Sequence, residues 1–189
     1  MQAFWRQKAF LLIIMIVKDK EFVEYISASE ISKRIAELGT ALNTDYEDKR
    51  PLFIAILNGS FMFAADLLKE VAIPCEISFV KVASYEEMES TGNVKQLIGL
   101  NETIFNKDVI IIEDIVDTGR TITKILEEFR SLGASSVEVI TLLQKPASND
   151  LGDKIKYIGF SIPEKFVLGY GLDYDGLGRN LKDIYQLKD

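Results

Sequence analysis

Apolar and polar positions divide the chain into stretches of two different periods. Ser27 and Glu30 have the spacing of a capping box and Ile26 and Ile31 that of a hydrophobic staple, so a helix is predicted to begin at Ser27. Ile31, Ile35, Leu38 and Leu42 continue it as one apolar stripe. Pro51 then precedes the apolar run Leu52–Leu57, which has the length of a buried strand; Asn58-Gly59-Ser60 turns the chain, and residues 61–71 read as a helix. β-Branched and aromatic residues mixed over 75–83 predict a further strand. The next stretch, SYEEMESTGNVKQ at 84–96, is polar and follows neither period, so it is expected to be a mobile loop.

The alternation resumes beyond that loop. Residues 109–112 are all apolar and predict a strand, while 121–132 carry Ile122, Ile125, Leu126, Phe129 and Leu132 on one helical face, closed by Gly133 as a C-terminal cap. Another strand is expected at 136–143 and shorter ones at 157–160, 167–170 and 184–187. Strands apolar on both faces and separated by helices belong to a parallel sheet covered on two sides, which makes this an α/β protein. With no repeat, low-complexity tract or composition break, residues 17–189 are expected to form a single domain.

Residues 1–16 are set apart as an N-terminal extension. The apolar run at 9–17 behind Arg6 and Lys8 has the outline of an export signal, but it is far shorter than the ~20 residues a membrane span needs. No small-residue cleavage pattern follows, only Lys18-Asp19-Lys20-Glu21. Translation beginning at Met15 offers one explanation of the upstream residues.

Composition narrows the chemistry. The 189 residues are 48% apolar, enough for one buried core. With 22 basic and 29 acidic side chains the net charge is −7, which argues against a broad nucleic-acid footprint or a basic membrane-binding face. The chain has no histidine, which excludes Ser-His and Cys-His nucleophile pairs and HExxH metal sites and leaves carboxylates for proton transfer. Its one cysteine, Cys75, can neither close an intrachain disulfide nor build a Cys-rich zinc site; this fits a reducing, cytoplasmic compartment, with Cys75 read as a small core hydrophobe.

The most informative stretch is VIIIEDIVDTGRTI at 109–122, which places a loop at the carboxyl end of a buried parallel strand and leads straight into a helix. Backbone N–H groups around Thr118, Gly119, Arg120 and Thr121 would open a helix there and suit a phosphate. Gly119 allows a close approach to the backbone, and the hydroxyls of Thr118 and Thr121 can donate hydrogen bonds. Glu113 and Asp114 would repel that phosphate and instead call for a sugar diol or Mg²⁺. A ligand with a monophosphate at one end and vicinal hydroxyls near the other is a ribose 5-phosphate. The motifs GxxxxGK[ST] and GxGxxG are absent, so kinase-type and dinucleotide sites lack their main support.

The segment Glu113-Asp114-Ile115-Val116-Asp117-Thr118-Gly119-Arg120-Thr121 resembles the 5-phosphoribosyl-1-pyrophosphate (PRPP) motif of type I phosphoribosyltransferases. That resemblance implies a central, mostly parallel sheet flanked by helices, with a small hood formed by the terminal segments. Three further segments resemble the hypoxanthine-guanine branch. Leu57-Asn58-Gly59-Ser60-Phe61-Met62 is similar to its pyrophosphate loop, whose backbone amides hold the leaving group, often across a non-proline cis peptide; Asn58 stands where many relatives carry Lys or Arg. Ser84-Tyr85 resembles the start of the closing loop, which the resemblance implies excludes water from the reacting carbon. Leu142-Leu143-Gln144-Lys145-Pro146 resembles the segment whose lysine meets the exocyclic oxygen of a 6-oxopurine. On sequence alone, Lys145 is more often a solvated surface lysine.

The segment at 164–174, EKFVLGYGLDY, carries the strongest of these likenesses. It implies that Phe166 stacks on the purine, that the backbone of Val167 pairs with the base edge, and that Asp173 lies near Mg²⁺ bound to pyrophosphate. Read without the resemblance, Phe166 is a core residue. Arg179 matches the arginine that meets pyrophosphate. Taken together, the likeness implies transfer of the 5-phosphoribosyl group from PRPP to N9 of hypoxanthine, and of guanine as well, with IMP or GMP and pyrophosphate as products. Glu113, Asp114 and Asp173 are the implied Mg²⁺ ligands, Asp117 the implied acid-base group at purine N7, and a homodimer or homotetramer the implied assembly. A xanthine- or guanine-preferring enzyme and a non-catalytic PRPP-sensing regulator remain as alternatives.

Overall fold

In a computed structural model the described residues are 14–81, 100, 102–148, 151 and 155–188. Their elements follow in the order β1 (Ile14–Val17), β2 (Lys20–Ile26), α1 (Ala28–Asp45), β3 (Leu52–Leu57), α2 (Phe61–Glu70), β4 (Glu76–Lys81), β5 (Asp108–Val116), α3 (Arg120–Ser131), β6 (Ser136–Gln144), β7 (Tyr157–Ser161), β8 (Val167–Leu168) and β9 (Ile184–Leu187). Five strands form a parallel sheet in the order β4-β3-β5-β6-β7.

Residues of β5 alternate between two cores, which is why its sequence is apolar without a break. Val109 and Ile111 pack with Ile122, Ile125, Leu126 and Phe129 of α3. Ile110 and Ile112 face the other way, toward Ile31, Ile35, Leu38 and Leu42 of α1 and Phe63, Ala64 and Leu67 of α2. The capping box at Ser27 and Glu30 is formed in both directions and starts α1 as its spacing predicts.

A second sheet sits apart from the parallel one. It is antiparallel, ordered β1-β2-β9-β8, and so combines residues from both ends of the described chain, as the hood of the resemblance requires. Val17, Phe22, Leu168 and Tyr185 form its own small core. β1 takes in residues 14–16 of the stretch set apart as an extension.

Three strands differ from the sequence reading by more than one residue at an end. The strand expected at 109–112 continues to Val116, because β6 is equally long and the ladder runs on through Glu113↔Thr141, Ile115↔Leu143 and Val116↔Gln144. Glu113 and Asp114 therefore belong to a strand and not to the loop beyond it. β8 stops at Leu168 instead of residue 170, because Gly169 (φ 100°), Tyr170 (φ 50°) and Gly171 (φ 101°) all turn through the left-handed region. β4 is shorter than the stretch 75–83, and Cys75, half-buried just before it, packs against the core with its thiol pushed up by burial. The loop expected at 84–96 lies outside the described residues. Among the described residues, no helix is long and apolar enough to cross a membrane.

Candidate active site

β3 and β5 are neighbours in the parallel sheet, so the segments leaving their carboxyl ends emerge side by side. The Leu57–Asn58 peptide that opens the first is cis, as the resemblance implied. Gly59 follows with no room for a side chain: a Cβ there would come 1.5 Å from Asp114 Oδ2. From the hood, Gly171 presses on the same residue so closely that its own Cβ would lie 2.0 Å from the Gly59 carbonyl oxygen. The loop is held between a carboxylate below and hood backbone above.

Two cavities adjoin at this point. The larger, of 380 Å³, is walled by Gly59, Glu113, Asp114, Asp117, Lys145, Phe166, Val167, Asp173 and Arg179 over a floor that includes Ile115 and Leu172. The smaller, of 130 Å³, is walled by Glu113, Ile115, Asp117, Thr118, Gly119, Thr121 and Ile122. Glu113, Ile115 and Asp117 belong to both, so one ligand can reach from one cavity into the other.

At the smaller end, Gly119 takes φ 73° in the N-cap position of α3, and no side chain caps that helix. A helix start with its dipole behind it suits an anion at this end. Between the cavities, Asp114 is buried and accepts the Ile115 N–H at 2.9 Å. Among the described residues, Glu113 Oε2 is enclosed without a hydrogen-bond partner. Burial, and then the charge of Asp114, hold the Glu113 carboxyl well above the ordinary glutamate range.

At the larger end, Lys145 Nζ lies 2.8 Å from Asp117 Oδ2, with the lysine side chain only 12% exposed and the aspartate 48%. The reading of Lys145 as a solvated surface residue is therefore corrected: β6 ends just before it, and its backbone N–H bonds to Val116 O at 3.0 Å, turning the side chain along the cavity wall. Phe166 is likewise no core residue. The residue is 42% exposed and lines the cavity, while Val167 after it is buried in β8. Arg179 donates from Nη1 to Gly171 O at 2.7 Å, and its Nη2 pairs with Asp173 Oδ1 at 2.6 Å. Asp173 Oδ2 accepts the Gly176 N–H at 2.7 Å.

Three expected residues stand back from the cavity walls: Asn58 and Arg120, both exposed, and Ser60. Ser60 is wholly buried; its hydroxyl donates to Ile56 O at 2.5 Å and its amide points to the same oxygen at 3.4 Å. Its donors turn back into the chain and do not face a ligand. The N–H groups of Asn58 and Gly59 have no partner among the described residues. Ser84 and Tyr85 lie outside the described residues.

Sequence reasoning missed the aromatic surround of Phe166. Tyr174 meets it edge-on at 5.7 Å and Phe22 packs at 6.2 Å. Neither residue shows a period that points to a ligand, and Phe22 reaches the site only because β2 pairs with the far end of the chain.

The profile of the phosphoribosyl transferase domain matches residues 24–175, and the chain belongs to that family. It is 42% identical to the hypoxanthine-guanine phosphoribosyltransferase of Bacillus subtilis over 164 residues, 86% of this chain and 91% of that one. The solved hypoxanthine phosphoribosyltransferase of Staphylococcus aureus matches with a TM-score of 0.79 at 42% identity, over 87% of this chain and 90% of that one. A Trypanosoma cruzi hypoxanthine phosphoribosyltransferase variant, solved as a ternary substrates complex, matches with a TM-score of 0.81 at 33% identity, over 91% and 97% of the two chains.

Proposed function

We propose that this chain transfers the 5-phosphoribosyl group from PRPP to N9 of hypoxanthine, and of guanine as well, in purine salvage, with pyrophosphate as the other product. The observation that carries this reading is the wall of Glu113, Ile115 and Asp117 shared by the phosphate-sized cavity and the larger one. A phosphoribosyl group laid along that wall puts its 5-phosphate on the amides and hydroxyls at Thr118 to Thr121 and its ring hydroxyls beside Glu113 and Asp114.

The base end supports a 6-oxopurine on chemical grounds. The 6-oxo group and N7 lie side by side on one edge of such a base. Lys145 and Asp117, at 2.8 Å, present a donor and a carboxylate side by side in the same way. Lys145 donates to the exocyclic oxygen, Asp117 handles the N7 proton, Phe166 stacks on the ring, and the Val167 backbone meets the remaining edge.

The bond from the ribosyl anomeric carbon to pyrophosphate breaks as the bond to N9 forms, so negative charge grows on the leaving group. Arg179 and the Gly59 N–H, both on the wall of the larger cavity, are the donors this reading assigns to it, with the Asn58 N–H beside them at the cavity's edge. A divalent cation fits the carboxylates present. Among the described residues no three acidic or thiol side chains make a metal cage, and Mg²⁺ is commonly held by one or two carboxylates together with substrate phosphates. Asp173 would hold it at the pyrophosphate, with Glu113 and Asp114 at the ribose hydroxyls, where the unpartnered Glu113 Oε2 offers a lone pair. Bound there, Mg²⁺ neutralises charge on the departing pyrophosphate. Assembly as a homodimer or homotetramer belongs to the same reading and is checked by sedimentation velocity.

The test is direct. Protein, Mg²⁺, PRPP and hypoxanthine are mixed and IMP formation is followed, with parallel rates for guanine and xanthine. IMP and GMP are expected; a fastest rate with xanthine overturns the assigned preference, and no nucleotide from any of the three bases overturns the enzymatic reading.

A further inference from the structure

Phe166 offers one face to the cavity, and the other side of its ring is held by residues from distant parts of the chain. Tyr174 and Phe166 meet with ring centres 5.7 Å apart and the two planes at 82°, the T-shaped geometry that aromatic quadrupoles favour. Buried Phe22 supports both rings at 6.2 Å. The Tyr174 hydroxyl donates to Asp19 Oδ1 at 2.8 Å, a bond that holds the Asp19 carboxyl below its ordinary range and pushes the phenol up. The Lys20 ammonium stands 4.9 Å from the centre of the Tyr174 ring and 5.9 Å from that of Phe166. One residue before Asp19 and one after Tyr174, Lys18 pairs with Asp175. The turn between β1 and β2 is thus tied at several points to the segment that follows Phe166.

We propose that Asp19, Lys20 and Tyr174 form a clamp that fixes the Phe166 ring for stacking, so that the N-terminal hairpin sets affinity for the purine and not for the phosphoribosyl donor. The inference rests on the reading of Phe166 as the purine's stacking partner. An exposed aromatic ring left to itself loses side-chain freedom when a base stacks on it, and that loss is subtracted from affinity. Here the ring is already held before the base arrives. Tyr174, Asp19 and Lys20 line neither cavity, so they act as positioning residues through Phe166.

Steady-state kinetics on the full chain test this, with hypoxanthine and PRPP varied separately and Tm measured for each variant. Tyr174→Ala is expected to raise the KM for hypoxanthine by about tenfold, the upper range of an aromatic pair, and to leave kcat and the KM for PRPP unchanged. Tyr174→Phe keeps the edge contact and is expected to recover most of the loss. Lys20→Met is expected to raise the same KM by about threefold, as an exposed cation–π contact would. If Tyr174→Ala lowers kcat and raises both KM values together, its role is structural and the proposal is overturned. If that variant does not fold, Asp19→Asn and Lys20→Met decide the matter, and an unchanged hypoxanthine KM in both overturns it. Phe166→Ala separates the two levels of the argument. A raised hypoxanthine KM there, with none in Tyr174→Ala, defeats the clamp alone, whereas an unchanged KM in Phe166→Ala defeats the base-site reading beneath it.

Discussion

At the end of β5 a glutamate and an aspartate stand in succession, and burial drives the first toward its neutral form. Because the folded value lies above the unfolded one of 4.5, the folded state binds more protons across the window between them. Stability is therefore lost as pH rises from the unfolded value through the folded one, and the loss is constant above it. Ligand-free Glu113→Gln is expected to melt higher than wild type at neutral pH and to lack that decline, as scanning calorimetry from about pH 4 to pH 8 would show. The Asp117–Lys145 pair yields a second expectation at this scale. Asp117→Ala should lower kcat by ~10²–10⁴ while PRPP binding changes little, whereas Lys145→Ala should raise the hypoxanthine KM and spare that for PRPP. Because the two groups touch, the double variant should lose less than the two single losses combined. That three acids and Gly119 gather at 113–121 was legible in the sequence, since their types already state the chemistry open to them. The inward turn of Ser60 was not, because it depends on where the Ile56 carbonyl stands.

Among the elements, α1 was the most legible, since its start is written in local spacing: Ser27 caps, Glu30 returns the bond, and the apolar stripe repeats each turn. Ser27→Ala removes the hydroxyl that accepts the Glu30 N–H, leaving only the backbone half of the box, and is expected to destabilise the fold by about 1 kcal/mol. For a domain of this size that is a fall in Tm of roughly 2–4 °C, readable by thermal denaturation. β3 and β9 also matched their apolar runs to the residue. β5 and β8 did not, for opposite reasons. A strand continues as long as its neighbour offers a ladder, so β5 extends past its apolar run into Glu113 and Asp114, while glycines in left-handed conformations stop β8 inside a run that still looks like strand.

The parallel sheet, read across the whole molecule, follows from strands that alternate with helices, but the hood joins residues at opposite ends of the chain through Val23↔Gln186 and Ile26↔Ile184. No local pattern announces a pairing at such a separation; only the likeness to a family implied it. Since the candidate site draws on the sheet, α3 and the hood together, a ligand that spans them should stabilise all three as a unit. PRPP with Mg²⁺ at a hundredfold excess over its Kd is expected to add about 2.7 kcal/mol and to raise Tm accordingly; no shift under those conditions would count against the phosphoribosyl site.

Where Gly59 meets Gly171, main chain rests on main chain with nothing between them that substitution could lengthen or trim. The height of the hood above the sheet is therefore set by the peptide backbone itself, and the span across the candidate site becomes a fixed dimension. On the proposed reading, altered base preference must then arise from the contour of the larger cavity and not from its reach. Randomising positions 59 and 171 under selection for growth on hypoxanthine should return glycine at both, while the same experiment at 174 should admit any flat ring.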